Sequence, residues 1–321
     1  MNVLVPLNNK EHIDDYIKSG ATEFYVGFHD VEWEKTFGQY GDINRLTGYR
    51  ESANPFSFEE LLELIPKIQQ KGGTVYITFN SSMYSQAQLT YMERYMDPLK
   101  QAGVDGVIAS SPELIEVARA HDLFCVASTI AGCYNNDIVS YYENAGVGRI
   151  ILPRDVTMED MKVITDAHPK LEYEVFIMRC GCMFSDSNCL GMHRNEYCSF
   201  CLSLRQAENE ICMDEENFAK RSAAEMNNEM YQQMFHYYSC GLCSIYQFLS
   251  MNVTAGKIVG RGDDWQKICA EIQLVSDNIK IAEKCKSNEE YLEKMKIPED
   301  HRQRCKMGLS CYYPEVRFDS K

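Results

Sequence analysis

Short runs of β-branched and aromatic residues recur about every 25 residues along most of this chain, each followed by a helix-forming segment, and that rhythm limits its fold more than any other feature. The runs are NVLVP (2–6), EFYVGF (23–28), TVYITFN (74–80), GVIAS (106–110), LFCVAST (123–129), RIILPR (149–154) and EYEVFIM (172–178), with GKIVG (256–260) as an eighth. The helical segments carry their own punctuation. KEHIDDYIKSG ends on Gly20, as a C-cap does. SFEELLELIPKIQQKGG opens on Ser57 with Glu60 three residues on, a capping box. SPELIEVARAHD has Pro112 in its first turn. Strands that alternate with helices pair in parallel through helical crossovers. Eight such units predict an α/β fold, a closed (β/α)8 TIM-like barrel, with a doubly wound open sheet as the alternative.

One slot breaks the rhythm. Between the seventh and eighth strands lie residues 179–255, far more than a loop and one helix require. The front of this insertion, RCGCMFSDSNCLGMHRNEYCSFC (179–201), is rich in cysteine, and the middle (208–238) reads as a polar helical stretch. Loops that follow barrel strands line the catalytic face, so the cysteines are expected at the mouth. The predicted organisation is a barrel over 1–285 that includes the insertion, then a C-terminal tail over 286–321. Residues 29–55 read as a long irregular loop whose Trp33, Phe37, Tyr40 and Tyr49 either cover the mouth as a lid or pack the flank. In the tail, Cys305 and Cys311 either bind a metal, fold back onto the mouth or sit in a loosely packed segment.

The chain has fourteen cysteines. Its N-terminus turns acidic at once and lacks a signal peptide's basic start, and no run of apolar residues is long enough to span a bilayer. A cytoplasmic protein is therefore predicted, and in a reducing compartment clustered thiols point to metal binding or burial rather than disulfides. The formal charge of −15 repels phosphate backbones and argues against a nucleic-acid partner for the isolated chain. Arg45, Arg50, Arg194 and Arg205 are too scattered to make a basic patch.

The thiol spacings are Cys180-x-Cys182, Cys182-x6-Cys189, Cys189-x8-Cys198 and Cys198-x2-Cys201, with Cys240-x2-Cys243 downstream. His193 is the one histidine in the stretch, so all-cysteine ligation is preferred. A set of four thiolates suits a [4Fe–4S] cluster or zinc. The 198/201 and 240/243 pairs resemble zinc knuckles, whereas the Cys-x6-Cys arm fits a ribbon poorly. Cys125, Cys133, Cys212, Cys269 and Cys285 read as buried small hydrophobes.

Several pieces taken in order resemble the collagenase-like peptidase family of unassigned catalytic type (family thirty-two). They are GATEFYVGF (20–28), YITFN ending in Asn80, RIILPRDVT, the lead YEVFIM before the Cys-x6-Cys arm, and GKIVGR (256–261). The family includes oxygen-independent ubiquinone-biosynthesis hydroxylase subunits and RNA-hydroxylating proteins. The resemblance covers residues 1–270 and implies a barrel with a [4Fe–4S] cluster, on Cys182, Cys189, Cys198 and Cys201. This chain departs from the family where Leu202 follows a Cys-x2-Cys pair, where Arg179 and Cys180 replace small residues, and where Val259 replaces a glutamate. The fourth ligand thus stays open among Cys201, Cys240 and Cys243.

The resemblance further implies an oxygen-independent hydroxylase that takes oxygen from a small organic donor such as prephenate. A dicarboxylate calls for cationic partners. Arg154 and Arg261 end the sixth and eighth strands and Asn80 ends the third, so these three are the expected donor-binding residues. Glu174 and Tyr25, inside strands, read as barrel core. The implied partner is a second subunit of the same family or a further copy of the chain. A peptidase and a non-catalytic iron–sulfur subunit are the alternatives. The chain lacks a Gly-x-Ser-x-Gly elbow and a His-Glu-x-x-His helix, which leaves the peptidase reading little support.

Overall fold

A computed structural model describes residues 1–38, 41–47, 50–182, 185–189, 238–305 and 311–318. Eight parallel strands close into a barrel: β1 Asn2–Leu7, β2 Glu23–Val26, β3 Thr74–Phe79, β4 Gly106–Ala109, β5 Cys125–Ala127, β6 Arg149–Ile151, β7 Glu172–Met178 and β8 Ala255–Ile258. Each strand pairs with its neighbours in sequence, and β1 closes the ring against β8. The outer layer is α1 Ile13–Ser19, α2 Phe58–Gln69, α3 Gln86–Gln101, α4 Pro112–Ala120, α5 Asn136–Asn144, α6 Met158–Ala167, α7 Ile245–Ser250 and α8 Trp265–Ala282. The closed barrel is therefore the fold, and the open sheet is excluded.

Local chemistry explains the helix starts. Ser57 and Ser85 each complete a capping box with Glu60 and Gln88, and Ser111, Asn135, Thr157 and Asp264 accept from first-turn N–H groups. The α1 helix ends on Gly20 in a left-handed conformation.

Two cores follow from the alternation along each strand. Residues pointing outward pack under the helices. Inside the barrel, each strand contributes one residue to an apolar cluster: Leu4, Tyr25, Tyr76, Ile108, Val126, Ile151, Phe176 and Ala255. The interior also holds buried charges. Arg149, 2% exposed, pairs with Glu23 at 2.6 Å and Glu172 at 2.6 Å, and stands 3.9 Å from Glu174. Glu174 in turn pairs with Lys257 at 2.8 Å. Opposite charges thus alternate from the floor of the barrel toward its mouth. Arg149 also lies over the Tyr76 ring at 4.6 Å.

Residues 29–55 are more ordered than the irregular loop their composition suggests. Asp30 caps a helix over Val31–Phe37, a second short helix spans Arg50–Ala53, and Phe28–His29 pairs with Phe56–Ser57. Trp33 is fully buried and meets Tyr91 of α3 edge-on, so this aromatic segment packs the flank. Tyr40 and Tyr49 lie outside the described residues. The tail folds back. Tyr312 N–H donates to the Cys240 carbonyl, Tyr313 to the Phe176 carbonyl, and Tyr312 packs against the interior cluster. The helical reading of the insertion's middle, residues 208–238, falls almost wholly outside the described residues.

Candidate functional site at the barrel mouth

The Cys-x6-Cys arm leaves the end of β7 through a tight corner. Arg179 and Cys180 take left-handed backbone angles, φ 66° and 51°. Glycine relieves such a corner most readily. In this chain Arg179 is held instead by ion pairs to Glu271 at 2.6 Å and Asp263 at 3.0 Å. Burial pushes the Glu271 carboxyl up to about 7 from 4.5, with Asp263 adding to the rise and Arg179 opposing it. The folded state then holds a proton that the unfolded chain has lost. Across the window from about 4.5 to about 7 this group makes stability fall as pH rises. Denaturant unfolding should show that slope in the native protein and a flatter profile in Glu271→Gln.

Asp186, inside the arm, ties it to the barrel. It is 3% exposed and forms an ion pair with the Arg154 guanidinium. It also accepts from the Arg154 N–H at 3.0 Å and from Thr129 Oγ1 at 2.8 Å. Burial alone would raise this carboxyl, but Arg154, Arg45 and these hydrogen bonds outweigh it and hold it below the usual range. The Arg154 guanidinium lies 3.8 Å above the Phe176 ring. The charge of Arg154 is therefore met by Asp186 of the arm, which ties the arm to the end of β6. Asn80 has a comparable place. Its Oδ1 accepts from the Arg45 N–H at 3.2 Å, and the Arg45 guanidinium reaches Cys189 Sγ at 3.0 Å. Asp186→Asn should release the arm. Alkylation of Cys189, half-buried in the native protein, should quicken by about tenfold for each 1.4 kcal/mol the buried pair contributes. An unchanged rate would show that the arm is held elsewhere.

Arg261 is different. It is 5% exposed, and among the described residues its partners are all uncharged: Asn54 Oδ1 at 3.1 Å, Thr78 Oγ1 at 3.1 Å and Asn44 Oδ1 at 3.3 Å. Burial lowers its basicity to about 10; Tyr25 opposes the drop and the Arg45 charge adds to it. Two glycines make the placement feasible. A Cβ on Gly27 would stand 1.9 Å from Asn54 Oδ1 and 2.2 Å from the Arg261 guanidinium. Gly260 turns the chain out of β8 with φ 119°, a conformation that side-chain-bearing residues avoid. Asn44 also accepts from the Leu46 N–H at 2.9 Å, so Arg261 helps to shape the loop that carries Arg45.

Cys182 is exposed and Cys189 half-buried; Cys198 and Cys201 lie outside the described residues. Among the described residues, no group of three or more His, Cys, Asp or Glu stands close enough to hold a metal ion. The donor chemistry still suits a soft metal centre, because Cys182 and Cys189 are both free thiols of one arm. Cys240 and Cys243 are buried, and Cys240 meets Cys305 and Cys311 of the tail: Cys240 shares a hydrogen bond with Cys305 and a β-bridge with Cys311. Cys125 and Cys133 are buried thiols pushed up to about 12 by burial.

Asp186, Arg45 and Lys257 escaped the reading of the sequence as site residues. Asp186 had one signal, a carboxylate between two candidate ligands. Arg45 had none, since only folding brings residue 45 beside residue 189.

The site thus joins a parallel barrel, a cysteine arm and a buried guanidinium whose partners among the described residues are uncharged, at the ends of the barrel strands. The family model Peptidase family U32 matches residues 8–317, and the chain belongs to that family. It is similar to tRNA hydroxylation protein P of Escherichia coli, 28% identical over 139 residues, 43% of this chain and 30% of that protein. It is similar also to tRNA hydroxylation protein P2 of Bacillus subtilis, 25% identical over 66% of this chain and 63% of that one. A collagenase of Porphyromonas gingivalis is 23% identical over 60% and 45% of the two chains. The chain spans less than two thirds of the length of these relatives. A solved U32 peptidase, Mk0906, has a TM-score of 0.47 at 14% identity, over 82% of this chain and 95% of that one. Among the described residues, no helix is long and apolar enough to cross a membrane.

Proposed function

We propose that this chain is an oxygen-independent hydroxylase-type enzyme that holds a carboxylate-bearing oxygen donor, such as prephenate, at the barrel mouth beside a thiolate-bound cluster. The observation that carries the reading is Arg261: a buried guanidinium whose partners among the described residues are all neutral offers a positive charge for an anion to balance. The relatives named for tRNA hydroxylation favour hydroxylation over peptide cleavage. They make a tRNA base the first substrate to test. With a formal charge of −15, the chain would meet RNA together with a partner subunit of its own family.

In this reading Cys182 and Cys189 provide two ligands and Cys198 and Cys201 the others. A [4Fe–4S] cluster on them supplies one-electron transfer when bound, and zinc is the alternative occupant. Arg154, Asp186, Asn80 and Arg45 hold the arm in place, and Arg261 with Asn44, Asn54 and Thr78 receives the donor's carboxylate. Purification without air should yield a brown, oxygen-sensitive protein with about four iron atoms per chain. Colourless protein without iron and sulfide under those conditions would end the cluster assignment. Proteolysis that survives iron chelation would favour a peptidase. Arg261→Gln should retain its iron yet bind the donor about tenfold to a hundredfold less tightly in equilibrium titration, the worth of a charge-assisted hydrogen-bonded contact.

A further inference from the structure

Two cations share one aromatic ring at the top of the barrel interior. Lys257 Nζ stands 4.2 Å from the centre of the Tyr25 ring and the Arg261 guanidinium carbon 5.9 Å from the same point. No more than the sum of those distances separates them. Lys257, 8% exposed, lies on β8 near its C-terminal end and points inward. Its amine is 2.8 Å from one oxygen of Glu174. The other Glu174 oxygen accepts no hydrogen bond among the described residues and lies 3.9 Å from Arg149. An amine, a carboxylate with an oxygen to spare and a second cation whose partners among the described residues are uncharged thus lie together toward the end of the barrel where barrel enzymes hold their reacting atoms.

We propose that Lys257 is a carbonyl-reactive lysine and that the mouth takes a small 2-oxo acid, its carboxylate on Arg261 and its keto carbon at Lys257 Nζ. This assignment goes beyond hydroxylation and requires no bound cluster. Glu174 accepts a proton from the Lys257 ammonium, and the neutral amine adds to the keto carbon. The resulting carbinolamine then loses its hydroxyl as water, protonated from Glu174. One C=O bond is replaced by one C=N bond, the keto oxygen leaves as water, and no electrons enter or leave the protein. Burial keeps the Lys257 amine below its usual basicity; Glu174 opposes this, and Arg261 and Arg154 add to it. The neutral amine the addition needs is correspondingly easier to reach.

The test uses the full chain, metal-free and in air, incubated with pyruvate and sodium cyanoborohydride and followed by intact mass and peptide mapping. The expected result is one reduced adduct per chain, on Lys257. Lys257→Arg, which keeps a cation beside Glu174, should lose it. Arg261→Gln, which also removes a charge that lowers the basicity of Lys257, should slow labelling by both carbonyl compounds, and labelling by pyruvate about tenfold more than labelling by acetaldehyde, which has no carboxylate. No adduct, or one spread equally over exposed lysines such as Lys35 and Lys67, would overturn the proposal. Mapping the native protein decides this even if a variant fails to fold. Equal slowing with both carbonyl compounds would overturn the assignment of the carboxylate to Arg261. The iron and sulfide measurement judges the hydroxylase reading separately, so either can fail without the other.

Discussion

Arg149→Ala should lower the free energy of unfolding by about 3–5 kcal/mol, the usual result of removing one partner from a buried ion pair. Arg149 balances Glu23, which is 2% exposed, and lies within 3.9 Å of Glu174, which is 1% exposed. Without it, Glu23 keeps the Asn2 amide at 2.6 Å as its polar partner among the described residues. The effect should come from a stranded charge more than from lost packing. The double variant Glu23→Gln with Arg149→Met should therefore recover much of the stability. Denaturant unfolding of the single and double variants would check this, provided the dependence on denaturant is unchanged. A double variant as unstable as Arg149→Ala would locate the loss in packing against Tyr76 instead.

Cys182→Ser or Cys189→Ser should each abolish the brown colour of protein purified without air and remove most of its iron. A hydroxyl is a far poorer ligand than a thiolate for a soft site. Cys125→Ser and Cys133→Ser, at buried positions outside the proposed ligand set, should leave the iron content unchanged. Both cysteines of the arm sit on one short loop fixed by Asp186, so the two variants are expected to behave alike. Retention of full iron by either would remove that residue from the ligand set. Loss of iron in Cys243→Ser or Cys240→Ser would bring the buried downstream pair into it.

The barrel was legible because its signals are local. The capping box at Ser57, Pro112 in a first turn and β-branched runs of strand length act within a few residues of chain. Their regular alternation leaves few topologies. The cysteine arm was legible for the same reason, since its spacing lies within one segment. Residues 29–55 misled because Gly and Asn suggest a loop, while Asp30 caps a helix whose Trp33 is held by tertiary packing against Tyr91.

By itself, then, the sequence determined the order of strands and helices, the place of the insertion after the seventh strand, and which thiols are available to it. Backbone propensity and hydrophobic periodicity operate over short stretches and need no knowledge of distant residues. Only the tertiary structure decided which cation has its charge met. Arg154 and Arg261 look alike as residues near the ends of strands, yet Asp186 neutralises the first and three uncharged side chains surround the second. The same holds for Arg45 beside Cys189 and for Tyr312 at the interior cluster, because closing the barrel brings together groups that lie far apart along the chain.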